Sequence, residues 1–459
     1  MANTISNSYE MTFYNIQPIC YSIELMKLIN YLTIKKDLPK FYLGKEDPLW
    51  LKNFKNLGNT YQSIISLNVN ISNINELKQD LNNKNFFVNK TTCLDEYINY
   101  NQTEVVLLYN YLTHCFILCY KIPLLIKENK ISKLTEVDDE NNRHNNLYST
   151  IRKLMVRENN DSIISNWAKT VEDKTLNIVY DILSYIFKTK KIDKNSIYIQ
   201  TNTGNITNII TNNNKIKENI INNLLSLNHI AERLDYNNNP IHLKDGTVYS
   251  FNGRFHTIIL QKPTDKNRFI PIQFHMQYLW MYTTKMYELM DYVNRELTEN
   301  NSVRLLKDLN IVINNIILKI QYLSLFHNNF KRAIESDYIN IYLKIEKYWN
   351  LDDNLNGTAE YINNFKDYLS RNYLSHTEKA NSRQNRILYL ISMLQLISLI
   401  GVWSSYISLV DKNDFDGQFL LRIFGNKENL IRFNIYLPLF FLLIIAVLLG
   451  IGFFQKRRQ

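Results

Sequence analysis

The sequence predicts an α+β membrane protein: a cytosolic α/β domain over residues 1–265, a long-helix stalk over 266–386 and two C-terminal transmembrane helices. Three observations predict it. Ile387 to Val410 and Phe433 to Phe454 are apolar runs without a charged residue. Ahead of them, apolar residues recur at helical spacing over a long stretch, and the N-terminal half mixes helical patterns with short strand-like segments joined by Gly-containing turns.

At about 1.5 Å of rise per residue, each apolar run crosses a hydrocarbon core of about 30 Å. Lys379, Arg383 and Arg386 precede the first span (387–410), and Lys456, Arg457 and Arg458 follow the second (433–454), in a basic tail over 455–459. Positive flanks stay on the cytoplasmic side, so the expected topology is multi-pass in the plasma or inner membrane, with both termini cytoplasmic. The segment 411–432 is then an extracytoplasmic loop, with Asp411, Asp414 and Asp416 at the outer mouth. Met1 to Ile34 lacks the basic start and continuous apolar core of a signal peptide. The run Val105 to Tyr120, interrupted by Asn110, Thr113 and His114, reads as a buried element rather than a third span.

In the stalk, Pro271 opens a helix whose Leu279, Tyr282, Met286, Leu289, Val293 and Leu297 share one face up to Asn300-Asn301-Ser302. A longer one follows: Leu305, Leu309, Val312, Ile316, Leu323, Phe326 and Phe330 form a stripe with Lys319 in its one polar slot, extended by Ile334, Ile341, Ile345 and Tyr348. Asn350 to Gly357 is expected to be a loop, and Thr358 the cap of a final helix of about 50 residues that runs into the membrane. In the N-terminal part, hairpins are expected at Ser196–Thr201/Asn205–Ile210 and at His242-Leu243/Thr247–Phe251, the latter followed by a strand at Phe255–Leu260. Helices are expected over Ser162–Phe187 and Glu218–Leu234.

Composition excludes several classes. The net charge is +10 with 4 cysteines, which rules out a disulfide scaffold, and no Cys-x-x-Cys zinc pair is present. Part of the basicity goes with heavy use of Asn, Ile, Lys and Tyr, as codon bias produces. The nucleotide-binding and hydrolase motifs Gly-x-Gly-x-x-Gly, Gly-x4-Gly-Lys-Ser/Thr, His-Glu-x-x-His and Gly-x-Ser-x-Gly are all missing, so an enzyme is disfavoured. His229 and Glu232, one helical turn apart, read as a solvated pair, and Cys115 and Cys119, placed on one helical face, as core residues.

The first span carries a polar stripe, Ser392, Gln395, Ser398 and Ser405, with Val402 in the intervening turn. Polar side chains in hydrocarbon turn to another helix or to water, so this face suits a pore lining or a packed bundle. A pore lined by one such helix per chain needs several chains. The order of parts (mixed cytosolic domain, long helices, polar first span, short loop, apolar second span, basic tail) resembles the CorA family of magnesium transporters over roughly Pro271 to Gln459. The resemblance implies a homopentamer embedded in lipid, with the first span lining the pore and divalent cations as cargo.

Where that family carries Gly-Met-Asn after a glycine-aromatic pattern, this chain has Gly401, Val402, Trp403, Ser404, Ser405 and Tyr406, so the reader of hydrated magnesium is absent. This departure, together with the long cytosolic part, resembles the CRISPR-associated CorA-like membrane effectors of type III antiviral systems. That likeness implies gating by a nucleotide made from S-adenosylmethionine and ATP (SAM-AMP), with no resident cofactor and no direct nucleic-acid binding. Phosphate needs Arg or Lys and adenine a stacking face, which makes Arg152, Arg157, Arg233, Arg254 and Arg268, with His256 and Trp167, Trp280 or Tyr282, the candidates. Arg254 and His256 rank first because they precede the segment that enters the Pro271 helix. The alternatives are a divalent-cation transporter with an altered filter and a non-conducting membrane tether.

Overall fold

The computed structural model describes residues 8–31, 46–56, 59–67, 69, 98–127, 163–187, 192–200, 203–211, 240–260, 266–299 and 303–408, with scattered positions in 218–225 and 422–444. It is a mixed α/β chain with an N-terminal sheet and long helices, forming two compact units, Met1–Leu369 and Ser370–Gln459.

The first unit is built on β1 (Ser8–Tyr21), which pairs antiparallel with β4 (Cys115–Lys127), β5 (Ile197–Ile199) and β6 (Asn205–Thr211). The sheet is extended by β2 (Ile64–Leu67), β3 (Glu104–Asn110), β7 (Ile241–His242), β8 (Val248–Asn252) and β9 (Phe255–Leu260), in the order β2-β3-β4-β1-β6-β9-β8-β7 with β5 beside β1. Among the described strands only β6 and β9 run parallel; the other pairs are antiparallel. Every residue of β6, β8 and β9 is buried, as in a sheet covered on both faces. At Gly204 a Cβ would meet the Ile16 carbonyl oxygen at 3.0 Å, so the chain can pass this close to β1 only without a side chain.

The helices are α1 (Ile23–Tyr31), α2 (Leu49–Asn56), α3 (Ile163–Phe187), α4 (Lys266–Glu299), α5 (Val303–Ala333), α6 (Ser336–Trp349) and α7 (Leu351–Ser408). α4 packs on β1 and β6 and against α1, α2 and α5. Its predicted face, Leu279 to Leu297, is buried throughout. So is the α5 stripe from Leu309 to Phe330, where Phe326 meets Phe54, Tyr61 and Tyr278. The polar slot in that stripe is accounted for: buried Lys319 donates to Asn30 Oδ1 of α1 at 2.7 Å.

Several expectations are corrected. β5 and β6 do not pair with one another; both pair with β1, a non-local solution that local turn chemistry cannot reveal. The β7–β8 hairpin forms with Gly246 at φ +86°, and β8–β9 is a second hairpin turning at Gly253-Arg254. Val105–Tyr120 lies within the β3–β4 hairpin, so Cys115 and Cys119 share a strand face rather than a helical one. The long stalk helix breaks at Ile334-Glu335, and the break brings the Tyr342 hydroxyl to 2.9 Å from His327 Nδ1. In an unbroken helix, residues fifteen apart lie about 22 Å apart. The expected Asn350–Gly357 loop is one residue, Asn350, in the left-handed conformation; Gly357 is helical and Thr358 bonds the Asn354 carbonyl from inside α7. Most of Glu218–Leu234 lies outside the described residues.

Candidate functional site: the foot of the long helix and its bare stretch

α7 is a single 58-residue helix. Its foot, within the first unit, is buried through Leu351, Leu355, Ile362 and Leu369. Asn350 caps α6 with its backbone N–H on the Glu346 and Lys347 carbonyls, and the α7 backbone starts at the next residue.

A compact ionic cluster holds this elbow. His327 Nε2 donates to Asp352 Oδ1 at 2.9 Å and lies 2.9 Å from Glu346 Oε1, while Lys331 Nζ is 2.6 Å from a carboxylate oxygen of each acid. One side chain pair on α5 therefore grips the last turn of α6 and the first turn of α7. Asp352 sits in that first turn, where a carboxylate also meets the positive helix end. Burial alone would raise the Asp352 carboxyl, but hydrogen bonds from Lys331 and His327 outweigh it and hold it below the usual range. Burial likewise opposes the Lys331 charge, and the two carboxylates override it and push the ammonium up. Behind His327, His275 stacks on Phe330 at 4.0 Å between centroids and is kept neutral by burial, its value well lowered.

His327, Glu346 and Asp352 place ligand-type atoms within 4.8 Å of one another, which is metal-site geometry. The Lys331 ammonium, however, occupies the place a cation would take. The arrangement is a closed ion-pair lock, and a metal would have to displace the lysine.

The β8–β9 turn reaches the same elbow. Trp349 Nε1 donates to the Gly253 carbonyl at 3.1 Å, and the Trp349 ring lies 6.3 Å from His256 and 6.2 Å from Trp280. Two sequence candidates, His256 and Trp280, thus flank Trp349, one residue before the cap Asn350, and Arg254 follows the Gly253 that Trp349 bonds. Arg254 lies over the Phe255 ring at 5.1 Å. His256 is wholly buried, with Nδ1 on the Tyr249 hydroxyl at 2.8 Å, and burial lowers it to about 3, so it has no charge to offer a phosphate. Arg268 is apart from this group, paired with Glu335 at 3.2 Å. Trp167 is core, edge-on to Tyr120, and Tyr282 is buried on α4. Arg152, Arg157, Arg233, Asp411, Asp414 and Asp416 lie outside the described residues.

Farther along α7, Ser392, Gln395, Ser398, Gly401, Val402 and Ser405 are all exposed, and the side chains of Ser404 and Tyr406 lie outside the described residues. Ser392 and Ser405 donate to the carbonyls of Leu388 and Gly401, four residues back, leaving their lone pairs outward. Around them the apolar side chains are equally bare: Leu394 is 66% exposed and Val402 67%. Trp403 meets Phe433 with ring centroids 6.0 Å apart.

Among the described residues two helices are long and apolar enough to cross a membrane, Leu305–Ala333 and Leu351–Trp403. They are not the two spans expected from the sequence. The first is the core helix α5, and the second overlaps the expected first span over residues 387–403; of the expected second span the described residues include a shorter apolar helical run within Ile431–Phe441.

No family model, curated protein or solved structure matches the chain.

His327, Lys331, Glu346 and Trp349 were not singled out in the sequence. Their one local signal is His327 and Lys331 a turn apart on α5, and a spacing of that kind is common on solvated helix faces.

Proposed function

We propose that the protein is a CorA-like membrane channel or effector. In this reading its N-terminal domain senses an adenine-containing nucleotide of the SAM-AMP type, and its first span lines a pore in a homopentamer set in the plasma or inner membrane, as in type III CRISPR antiviral defence. The observation that carries this reading is the bare apolar stretch of α7 on the same helix whose foot is locked to the N-terminal domain. Leu394, Ile397 and Val402 need lipid or neighbouring subunits around them, and the serine and glutamine stripe needs water or another helix.

Gating follows from the elbow. A nucleotide held at the β8–β9 turn by Arg254, with Trp280 and Trp349 as stacking faces, bears on the residue preceding the Asn350 cap and so on the start of α7. Moving a gate from 1:99 to 99:1 takes about 5.5 kcal/mol of differential affinity, or about 1.1 kcal/mol at each of five sites. One charge-assisted hydrogen bond is enough. A pore of hydroxyl and amide groups without Gly-Met-Asn would select poorly among cations.

The test is cation flux from liposomes carrying the full-length protein, with and without adenine nucleotides. Flux that appears only with nucleotide and is lost in Arg254→Ala, with assembly size unchanged, is the expected result. Flux independent of nucleotide would favour the transporter with an altered filter, and no flux under any condition a tether. Cys substituted at Gln395 should cross-link between subunits if this helix lines the pore.

A further inference from the structure

A second site lies away from the elbow, in a cavity of about 30 Å³ between the end of β1, the start of β4, α1 and α4. That is room for about two water molecules or one ion, and far too little for a nucleotide. Its lining is unusual in one respect. Five of its twelve residues carry sulfur (Cys20, Cys115, Met26, Met281 and Met286), although the whole chain of 459 residues has only 4 cysteines and 9 methionines. Register explains why the thiols share the cavity: the β1–β4 ladder ends at Ile19 opposite Phe116, and Cys20 and Cys115 are the next residues on the two strands. Neither is in a disulfide; the Cys20 thiol donates to Gln200 Oε1 at 3.2 Å and the Cys115 thiol to the Thr113 carbonyl at 3.8 Å.

Two further features mark the cavity as more than packing. The Tyr282 hydroxyl is buried on its wall with no hydrogen-bond partner among the described residues, and Cys115 lines the same cavity. An orphaned donor of this kind costs free energy unless something charged or polar arrives. Burial pushes both thiols up, Cys20 to about 12 and Cys115 to about 11, and the nearby cations Lys285 and Lys319 act against it, so a cation taken up here must displace the thiol protons.

We propose that this cavity is a binding site for one soft monovalent cation of the Cu(I) class, held by the Cys20 and Cys115 sulfurs with the methionine thioethers completing its surroundings. Thiolates and thioethers select such ions, whereas Mg²⁺ and Ca²⁺ require a shell of oxygens that this wall does not supply. The ion enters as both thiols release their protons to solvent; two metal–sulfur bonds replace two S–H bonds, with no change of oxidation state. The resulting bis-thiolate unit carries one negative charge, which Lys285 and Lys319 offset, and the Tyr282 hydroxyl gains a charged sulfur to donate to. None of this depends on the channel reading.

The test is competition for Cu(I) between a chromophoric chelator and the reduced, detergent-solubilised full-length protein. The expected result is one Cu(I) taken per chain, with ultraviolet sulfur-to-metal absorption and release of two protons, unaffected by excess Mg²⁺. Cys20→Ser and Cys115→Ser should each weaken binding by more than about 100-fold and Tyr282→Phe by about 10-fold, the range for losing a supporting hydrogen bond. Cys93→Ser and Cys119→Ser should leave binding unchanged. Unaltered affinity in Cys20→Ser or Cys115→Ser, or loss in Cys119→Ser instead, overturns the proposal. Should a serine variant fail to fold, the volume-conserving pair Met281→Leu and Met286→Leu decides: parental affinity in that variant overturns the site.

Discussion

α5 and α7 are both long and apolar enough to cross a membrane, yet 44% of the most apolar window of Leu305–Ala333 is buried and none of that of Leu351–Trp403. α5 finds its partners within the chain: Phe326 and Phe330 lie among Phe54, Tyr61, His275 and Tyr342. Beyond Leu369, α7 buries none of its large apolar side chains. Hydropathy identifies a helix that must leave water; the packing tells whether it does so within its own chain, as α5 does, or finds no cover there, as in α7 beyond Leu369.

The largest expected effect breaks the membrane half of this contrast. Leu394→Arg with Ile397→Arg should cost about 5 to 7 kcal/mol of insertion at roughly 2.5 to 3.5 for each arginine, so the protein should leave the carbonate-resistant membrane fraction while its first unit stays folded. Retention in that fraction would count against the span. Phe326→Ala, on the buried helix, should do the reverse, lowering unfolding free energy by about 3 to 5 kcal/mol without releasing the protein from membranes.

Lys319 sharpens the comparison, because it is a lysine in the buried helix and not in the bare one. Burial lowers its folded-state value to about 8, so at neutral pH the fold carries the cost of a desolvated ammonium. Lys319→Met should therefore raise unfolding free energy by at most about 3 kcal/mol at pH 7, less what Asn30 loses. The gap over the parent should close as pH climbs from about 8 towards the ordinary lysine range, where the parent sheds the proton on folding and gains stability. A gap that widens with pH would refute this assignment.

The smallest effect concerns the elbow. The contribution of Asp352, whose folded-state value is depressed, is present above the usual carboxylate range and lost as pH falls through the lowered value; that of Lys331, which is raised, is lost only as pH rises beyond the usual lysine range. Asp352→Asn should lower thermal stability by on the order of 1 kcal/mol at neutral pH, since half-exposed pairs are screened. The difference from the parent should shrink in acid.

The helices were legible in the sequence because their signal is periodic and local: the faces of α4 and α5 were read residue by residue. The elbow was not, because a break at Ile334-Glu335 and a single left-handed Asn350 are enough to fold a stripe back on itself, and Glu335-Ser336-Asp337 looks like ordinary polar spacing. β5 was joined to the wrong neighbour for a related reason: turn residues announce a bend, but its strand partner was β1, nearly 180 positions earlier. Of the candidate residues, His256 and Trp280 both lie beside Trp349, which carried no signal of its own in the sequence.

The central position of β1 also sets a timetable for biosynthesis. Its Glu10 pairs with Thr211 on one side, and Tyr9 with Ile126 on the other. At about 5 to 20 residues per second, β1 waits on the order of 10 to 40 s on the ribosome for β6 to be made. Throughout that interval a fourteen-residue strand, apolar at most positions, has unpaired backbone along its β6 edge. Holding factors that bind extended apolar segments should therefore engage the nascent chain early and leave it only once β6 has emerged, well before α5 or α7 is made.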